Sequence, residues 1–345
     1  MKRFLQVTAT LLLTAFLLWL FLKNADLGDV WQILKTTHAG WLLAGVVVNI
    51  VALFLRTIRW RTILSPHSPP PFYPTFFANT VGYMLSTVLP IRAADVARPA
   101  LLARRTGLRF SGALGSVLTE RVVDLAAILG LFVYYALRRW NEYANNPETS
   151  TLWSYMMKPA TIISASILLG LILFLVGLYF FSGTVRRLHE FLGRALPRRF
   201  RDSWMHFFDT FVETLDRAKD RRAMLTILSC TVGIWACLTA QLVCGAIALD
   251  LELPFDASFF ITGATTIGLA VPTPGGIGGM HKICQFILMR FYAMDVDASV
   301  AAAVLFHLIG SIPVVVVGVL LIAHHGLRWR DVTSADGEDA NTTAL

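Results

Sequence analysis

Charged residues are scarce. Asp, Glu, Lys and Arg make up 15% of the 345 residues, against 56% hydrophobic. With a mean hydropathy of +0.62, that shortage excludes an ordinary soluble domain and indicates an all-α polytopic membrane protein. Cysteine is scarce as well, with four in the chain. Cys230, Cys237 and Cys244 recur every seven residues inside an apolar segment. They share one helix face, which reads as small residues at a helix–helix contact and not as disulfides or metal ligands. The chain lacks a Walker motif, zinc-ligand spacing and any RNA-binding signature, so no cofactor, metal or nucleic-acid partner is expected. Acidic residues are the minority sign, 22 against 30 basic. In a membrane protein the resulting net charge of +8 marks cytoplasmic loops.

What is abundant is apolar sequence in long runs. Phe4–Leu22 follows Lys2 and Arg3 and is too long for a signal peptide, so it is expected to be an uncleaved first span with its amino end inside. Asp29–Thr37 is amphipathic and suits the membrane surface. Further full spans are expected from Trp41, over Ser111–Leu137, over Ala160–Phe181, over Met224–Leu249 and over Ser299–Ala323. Residues 138–158 read as a polar external loop. Residues 183–222 carry ten basic and six acidic residues and are assigned to the cytoplasm, with an interfacial helix around Phe207–Leu215. The tail, 331–345, reads as disordered.

Two apolar stretches break the pattern. The first, Phe72–Leu89, ends at Pro90 and runs into residues 91–110, which hold five Arg and one Asp. A complete crossing would put this basic stretch outside, against the positive-inside tendency. A re-entrant hairpin over 72–105 removes the conflict. The second break is Val271-Pro272-Thr273-Pro274-Gly275-Gly276-Ile277-Gly278-Gly279-Met280-His281-Lys282. Two prolines lack backbone N–H groups, and four glycines favour no single backbone state. A helix must stop here. In lipid each freed backbone group costs several kcal/mol unless protein or a water-filled cavity satisfies it. The helix restarting near Gly278 directs its positive end at whatever occupies the break, with His281 and Lys282 in its first turn. The order span, hairpin, span thus occurs twice, over about 41–137 and about 224–323, in opposite senses. That is an inverted repeat with two re-entrant hairpins and six to eight transmembrane segments within one domain, 1–330, both termini cytoplasmic.

Ionisable groups inside spans face protein, paired or functional. Glu120 and Asp124 lie one turn apart beside Arg121. Their candidate partners are Arg56, Arg59, Arg92 and Arg98. A clamp between these arginines and a direct substrate or proton role for the carboxylates are both left open. Asn79 and His307 are further polar groups in apolar runs. The expected substrate site is Arg92, Asp95, Arg98, Glu120, Arg121, Asp124, Pro274, Gly275, Gly276, Gly278, His281 and Lys282. Arg56, Arg59, Asn79 and His307 support it.

Four stretches together carry a family likeness: Arg56-Thr57-Ile58-Arg59-Trp60, Leu89 to Arg98, Glu120-Arg121-Val122-Val123-Asp124, and Pro272 to Gly278. They resemble the lysylphosphatidylglycerol synthase transmembrane-domain family, also described as flippase-like or UPF0104 proteins. The resemblance covers nearly the whole chain and implies a membrane-embedded lipid translocase or an accessory to one. Relatives are associated with aminoacylated phosphatidylglycerol, hopanoids or polyprenyl-linked sugars. About twenty residues follow the last span, so no aminoacyl transfer by this chain is expected. Two positions depart from the family pattern. Ala94 replaces a usual Gly before Asp95, and His281 stands where Glu is usual, which weakens the case for a cationic headgroup.

The expected function is therefore movement of an anionic or phosphate-bearing lipid between leaflets of a bacterial inner membrane, by a chain that is not an enzyme. Two other readings stand beside it: a transferase acting on a lipid-linked donor, and a scaffold recruiting a lipid-modifying enzyme. A homo-oligomer is left open.

Overall fold

The computed structural model describes residues 2–65, 68–89, 94–145, 150–180, 220–269, 271 and 273–325. Helices α1 (Lys2–Leu22), α2 (Leu27–Lys35), α3 (Ala39–Leu64), α4 (Phe72–Val88), α5 (Ala94–Thr106) and α6 (Phe110–Arg138) come first. Then follow α7 (Trp140–Asn145), α8 (Lys158–Phe180), α9 (Arg221–Ala248), α10 (Ala257–Gly268), α11 (Gly279–Phe291) and α12 (Val296–His324). Among the described residues there is no strand. The expected cytoplasmic helix around Phe207–Leu215 and the tail 331–345 lie outside them.

Among the described residues four stretches are long and apolar enough to cross a membrane: α3, Ser150–Phe174 (which runs into α8), α9 and α12. A fifth is the pair α1 and α2, bent by 80°. The sixth expected span, α6, has 29 residues, about 43 Å of helix at 1.5 Å per residue. Apolarity alone does not mark it, because Glu120, Arg121 and Asp124 interrupt its run. The remaining helices are shorter: α4 has 17 residues, α5 13, α10 12 and α11 13. At about 18–26 Å each they fall below the roughly 30 Å of a bilayer core. They pack as pairs, α4 on α5 and α10 on α11.

The bend after α1 has local causes. The Asp26 carboxylate accepts hydrogen bonds from Gly28 N at 2.7 Å and Asp29 N at 3.4 Å, capping α2. Helix α2 buries Val30 and exposes Leu27 and Trp31. Lys23 and Lys35 lie over the Trp19 and Trp31 rings at 5.3 and 5.5 Å. An apolar face flanked by lysine and tryptophan suits the membrane surface.

The longest helix contact joins α3 to α9. A Cβ on Gly45 would sit 3.5 Å from the Cys244 Cβ, and one on Gly233 would sit 3.0 Å from Leu55. The cysteine face is thus a close helix contact; Cys230 and Cys244 are buried and all four thiols are free. Asn49 Nδ2 locks the pair by donating to Gln241 Oε1 at 2.7 Å and, across to α12, to Gly310 O at 3.2 Å.

Each short pair has its own core. One core gathers Trp60, Phe77, Met84, Leu102 and Val314 around α4 and α5. The other gathers Tyr135, Phe260, Cys284, Leu288 and Val300 around α10 and α11. Helix α12 serves both, its first half packing on the second pair and its second half on the first. Residues 138–158, expected as a polar loop, instead hold α7 and a π-helical stretch, Trp153–Met157. Burial of Tyr143 and Trp153 orders them, with Trp140 packed edge-on to Trp153 at 4.9 Å. The Tyr135 hydroxyl meets those of Tyr143 and Tyr292 at 2.6 Å, tying α6 to α7 and to the end of α11.

Candidate functional site

A cluster of charged groups ties the first short pair to the long helices. Arg59 of α3 is 1% exposed and Glu120 of α6 is fully buried. Arg59 Nη2 donates to Glu120 Oε1 at 2.8 Å. The same guanidinium grips Asp124 through both carboxylate oxygens, at 2.7 and 3.1 Å, and reaches Thr231 Oγ1 of α9 at 3.2 Å. Arg98 of α5, fully buried, pairs with the other Glu120 oxygen at 2.9 Å. Its guanidinium lies over the rings of Trp60 and Tyr83 at 4.4 and 4.7 Å. The Arg98 side chain crosses α4 at Gly82, where any Cβ would collide with it. Arg121 donates to Asp95 Oδ1 through Nε at 3.1 Å. The i,i+4 placement of Glu120 and Asp124 lets one arginine take both. The chemistry is bidentate, charge-assisted bonding inside protein, where opposite charges offset one another's desolvation.

Beside this cluster lies a cavity of about 650 Å³. Its charged lining is Arg56, Asp95, Arg121 and Asp124. Its neutral polar lining includes Tyr83, Thr87, Gln241, His307 and Ser311. Gly275 and Gly276 of the Pro-Gly break contribute one wall. The break itself is a short 3₁₀ turn, Pro274–Gly276, between α10 and α11. Gly275 has φ +58° and a Cβ there would stand 2.9 Å from the Thr87 carbonyl oxygen at the end of α4. The ends of the two short pairs therefore meet, backbone to backbone, at the edge of the cavity. Helix α11 then starts at Gly279.

The structure divides the expected site residues into groups. Asp95, Arg121, Asp124, Gly275, Gly276, Arg56 and His307 line the cavity. Arg59, Arg98 and Glu120 stand behind its wall as an ion-pair network. Asn79, fully buried, donates to Thr57 Oγ1 at 3.2 Å and joins α4 to α3. Pro274 opens the turn. Gly278, His281 and Lys282 face α1. A Cβ on Gly278 (φ +90°) would meet Leu17, and His281 Nδ1 accepts from Gly278 N at 3.4 Å, closing the first turn of α11. The His281 ring sits between Phe21 at 5.1 Å and His307 at 4.8 Å. Lys282 Nζ donates to Leu20 O at 3.1 Å and to Gln285 Oε1 at 2.7 Å. The first of these bonds satisfies one of the last carbonyls of α1. Arg92 lies outside the described residues. The sequence reading quoted Trp60 in a family motif without giving it a place in the site, and it missed Tyr83, whose aromatic character is unremarkable in a span. It also missed Asn49 and Gln241, for which a lone amide in an apolar run was the available signal.

Comparison with known proteins adds to this geometry. Residues 7–318 match the lysylphosphatidylglycerol synthase transmembrane region. Glycosyltransferase AglD of Haloferax volcanii is 25% identical over 92% of this chain and 54% of its own length. A UPF0104 membrane protein of Methanothermobacter thermautotrophicus is 22% identical over 87% of this chain and 89% of its own. A UPF0104 membrane protein of Methanocaldococcus jannaschii is 24% identical over 69% of this chain and 92% of its own. The chain spans about half the length of AglD and most of the other two, and these relatives are archaeal.

Proposed function

Because the chain belongs to the lysylphosphatidylglycerol synthase transmembrane-region family, we propose that it carries an anionic or phosphate-bearing lipid between the two leaflets of a membrane. The observation that carries this reading is the cavity of about 650 Å³ among the long helices, with guanidinium groups on one side and the Pro-Gly turn on another. That volume suits a lipid headgroup. Charged groups at this depth are costly unless they serve a polar path.

In this reading the headgroup enters the cavity while the acyl chains stay in lipid. Arginine suits phosphate because its planar fork bonds bidentately. The two short pairs act as re-entrant hairpins of an inverted repeat, and the Thr87–Gly275 contact between them is the place where access changes. The connections between α1 and α2, α9 and α10, and α11 and α12 carry Asp26, Asp250, Glu252, Asp256, Asp295 and Asp297, offset in part by Lys23, Arg139 and Arg290, while Arg61, Arg104, Arg105 and Arg109 lie at the ends of α3 and α5 and the start of α6. That asymmetry supports a plasma membrane location with the arginine end, and both termini, in the cytoplasm. The chain's own role is transport and not catalysis, driven by downhill flow or a proton gradient.

The test is reconstitution of the purified full chain into vesicles carrying a labelled anionic lipid, with loss of label to an external quencher as the readout. Faster exchange between leaflets than in empty vesicles is expected. No acceleration with any anionic lipid would remove the carrier reading. A second reading, a transferase acting on a lipid-linked donor, draws on the name of one relative, glycosyltransferase AglD. Product formed by the purified chain from such donors would favour it.

A further inference from the structure

Among the described residues, the charges around the cavity do not balance, and the imbalance is one residue. Asp95 is taken by Arg121 at 3.1 Å, and Asp124 by Arg59 through both oxygens. Glu120 is taken by Arg59 at 2.8 Å and Arg98 at 2.9 Å. Arg59, Arg98 and Arg121 thus stand against Glu120, Asp124 and Asp95, three cations to three anions. Arg56 is left over. It lines the cavity and is half-buried. Among the described residues no carboxylate lies within ion-pair distance of it. Its guanidinium rests over the Tyr83 ring at 4.8 Å, beside Arg98 on the same ring at 4.7 Å. A cation–π contact steadies a cation by about 0.5–2 kcal/mol but leaves its charge in place.

We propose that Arg56 is the anion-recognition residue of this cavity and that its ligand is a singly charged phosphodiester. The inference rests on reading the cavity as a lipid-headgroup site, and it names both the chemistry and the residue. One unbalanced cation matches one negative charge. A diphosphate would leave charge uncompensated on the protein side. A zwitterionic headgroup would bring an ammonium to a wall whose carboxylates are already bonded. Apart from Arg56 and the paired Asp95, Arg121 and Asp124, the polar part of the described lining is neutral, and it sits beside a larger apolar part that includes Leu53, Ile128, Leu242 and Phe306. Gln241, Thr87 and Ser311 offer amide and hydroxyl groups, and Ser311 Oγ keeps its lone pairs while donating to His307 O at 2.7 Å. Such groups suit a headgroup rich in hydroxyls. A glycerophospholipid and a polyprenyl phosphoglycoside share this chemistry.

The experiment is native mass spectrometry of the detergent-purified full chain with four probes. They are phosphatidylglycerol, a polyprenyl phosphoglycoside, zwitterionic phosphatidylcholine and a polyprenyl diphosphate. At least one of the two phosphodiesters is expected to be retained about tenfold or more over the other two probes, and the better one identifies the source. Arg56→Gln is expected to lose that preference by about tenfold or more, the scale of a charge-assisted hydrogen bond. Arg56→Lys keeps the charge, and is expected to keep the preference at lower affinity. It decides the matter if the glutamine variant does not fold. Unchanged preference in a folded Arg56→Gln protein, or equal retention of the diphosphate or the zwitterion, would overturn the proposal and leave the carrier reading standing. No anionic lipid retained by the unmodified chain would overturn both.

Discussion

Glu120 is held from two sides, by Arg59 at 2.8 Å and Arg98 at 2.9 Å, with no exposure to solvent. Removing one partner of a buried pair leaves the others uncompensated, at a cost of about 3–5 kcal/mol. Glu120→Gln is therefore expected to lower the thermal midpoint of the purified protein sharply. A midpoint within a degree of the unmodified chain would mean the network contributes little. A second residue pair acts outside the spans. Arg139 bonds both oxygens of Asp256 at 2.6 Å, which holds Asp256 below the usual carboxylate range despite the opposing effect of burial. A depressed folded value places the sign. The pair's contribution is fully present above the unfolded value of about 4 and is lost as pH falls through the folded value below it. Asp256→Asn is expected to destabilise the chain at pH 7 and to flatten the part of the acid-side decline due to this pair, read by unfolding midpoints between pH 7 and pH 3. The ionisable residues themselves were legible in the sequence, because charge in a span stands out. The partners were not: four arginines were candidates for Glu120, and only packing of α5 across Gly82 brings Arg98 to it.

Among the elements, the Pro-Gly break was the most legible and its role the least. Prolines and glycines announce that a helix stops, but not what the stopped chain touches. The turn closes with Gly275 at φ +58° against the carbonyl of Thr87. A side chain there meets both an unfavourable backbone state and a backbone atom that cannot rotate away. Gly275→Ala is expected to cost about 1–3 kcal/mol of stability and to slow lipid exchange in vesicles. Retention of both midpoint and rate would show that the meeting of the two short pairs is incidental. His281 and Lys282 followed the sequence logic of a helix start, yet the tertiary contacts turn them towards α1. The last turn of α1 presents bare carbonyls, and Lys282 supplies one of the missing donors.

At the scale of the whole molecule, the expected topology follows from the separation of acidic and arginine-rich ends. Single cysteines at Leu108, 39% exposed, and Phe255, 66% exposed, probe the two ends. In whole cells a membrane-impermeant thiol reagent is expected to label Phe255→Cys and to spare Leu108→Cys. Labelling of Leu108→Cys from outside would refute a re-entrant first pair and favour eight simple spans. The cavity belongs to this scale too. Its lining comes from α3, α4, α5, α6, α9, α10, α11 and α12 together, so no local stretch contains it.

The sequence by itself determined that this is a helical membrane protein, where its long helices lie, that two apolar stretches are interrupted, and which charged groups sit among apolar ones. These follow from local physics: hydropathy over a window, proline and glycine geometry, and the cost of charge in lipid. Only the tertiary structure decided which charges cancel, that Arg56 is left over among the described residues, and that Gly275 meets Thr87. Those outcomes depend on how far one helix stands from another, and at this contact scale an ångström separates an ion pair from an open guanidinium.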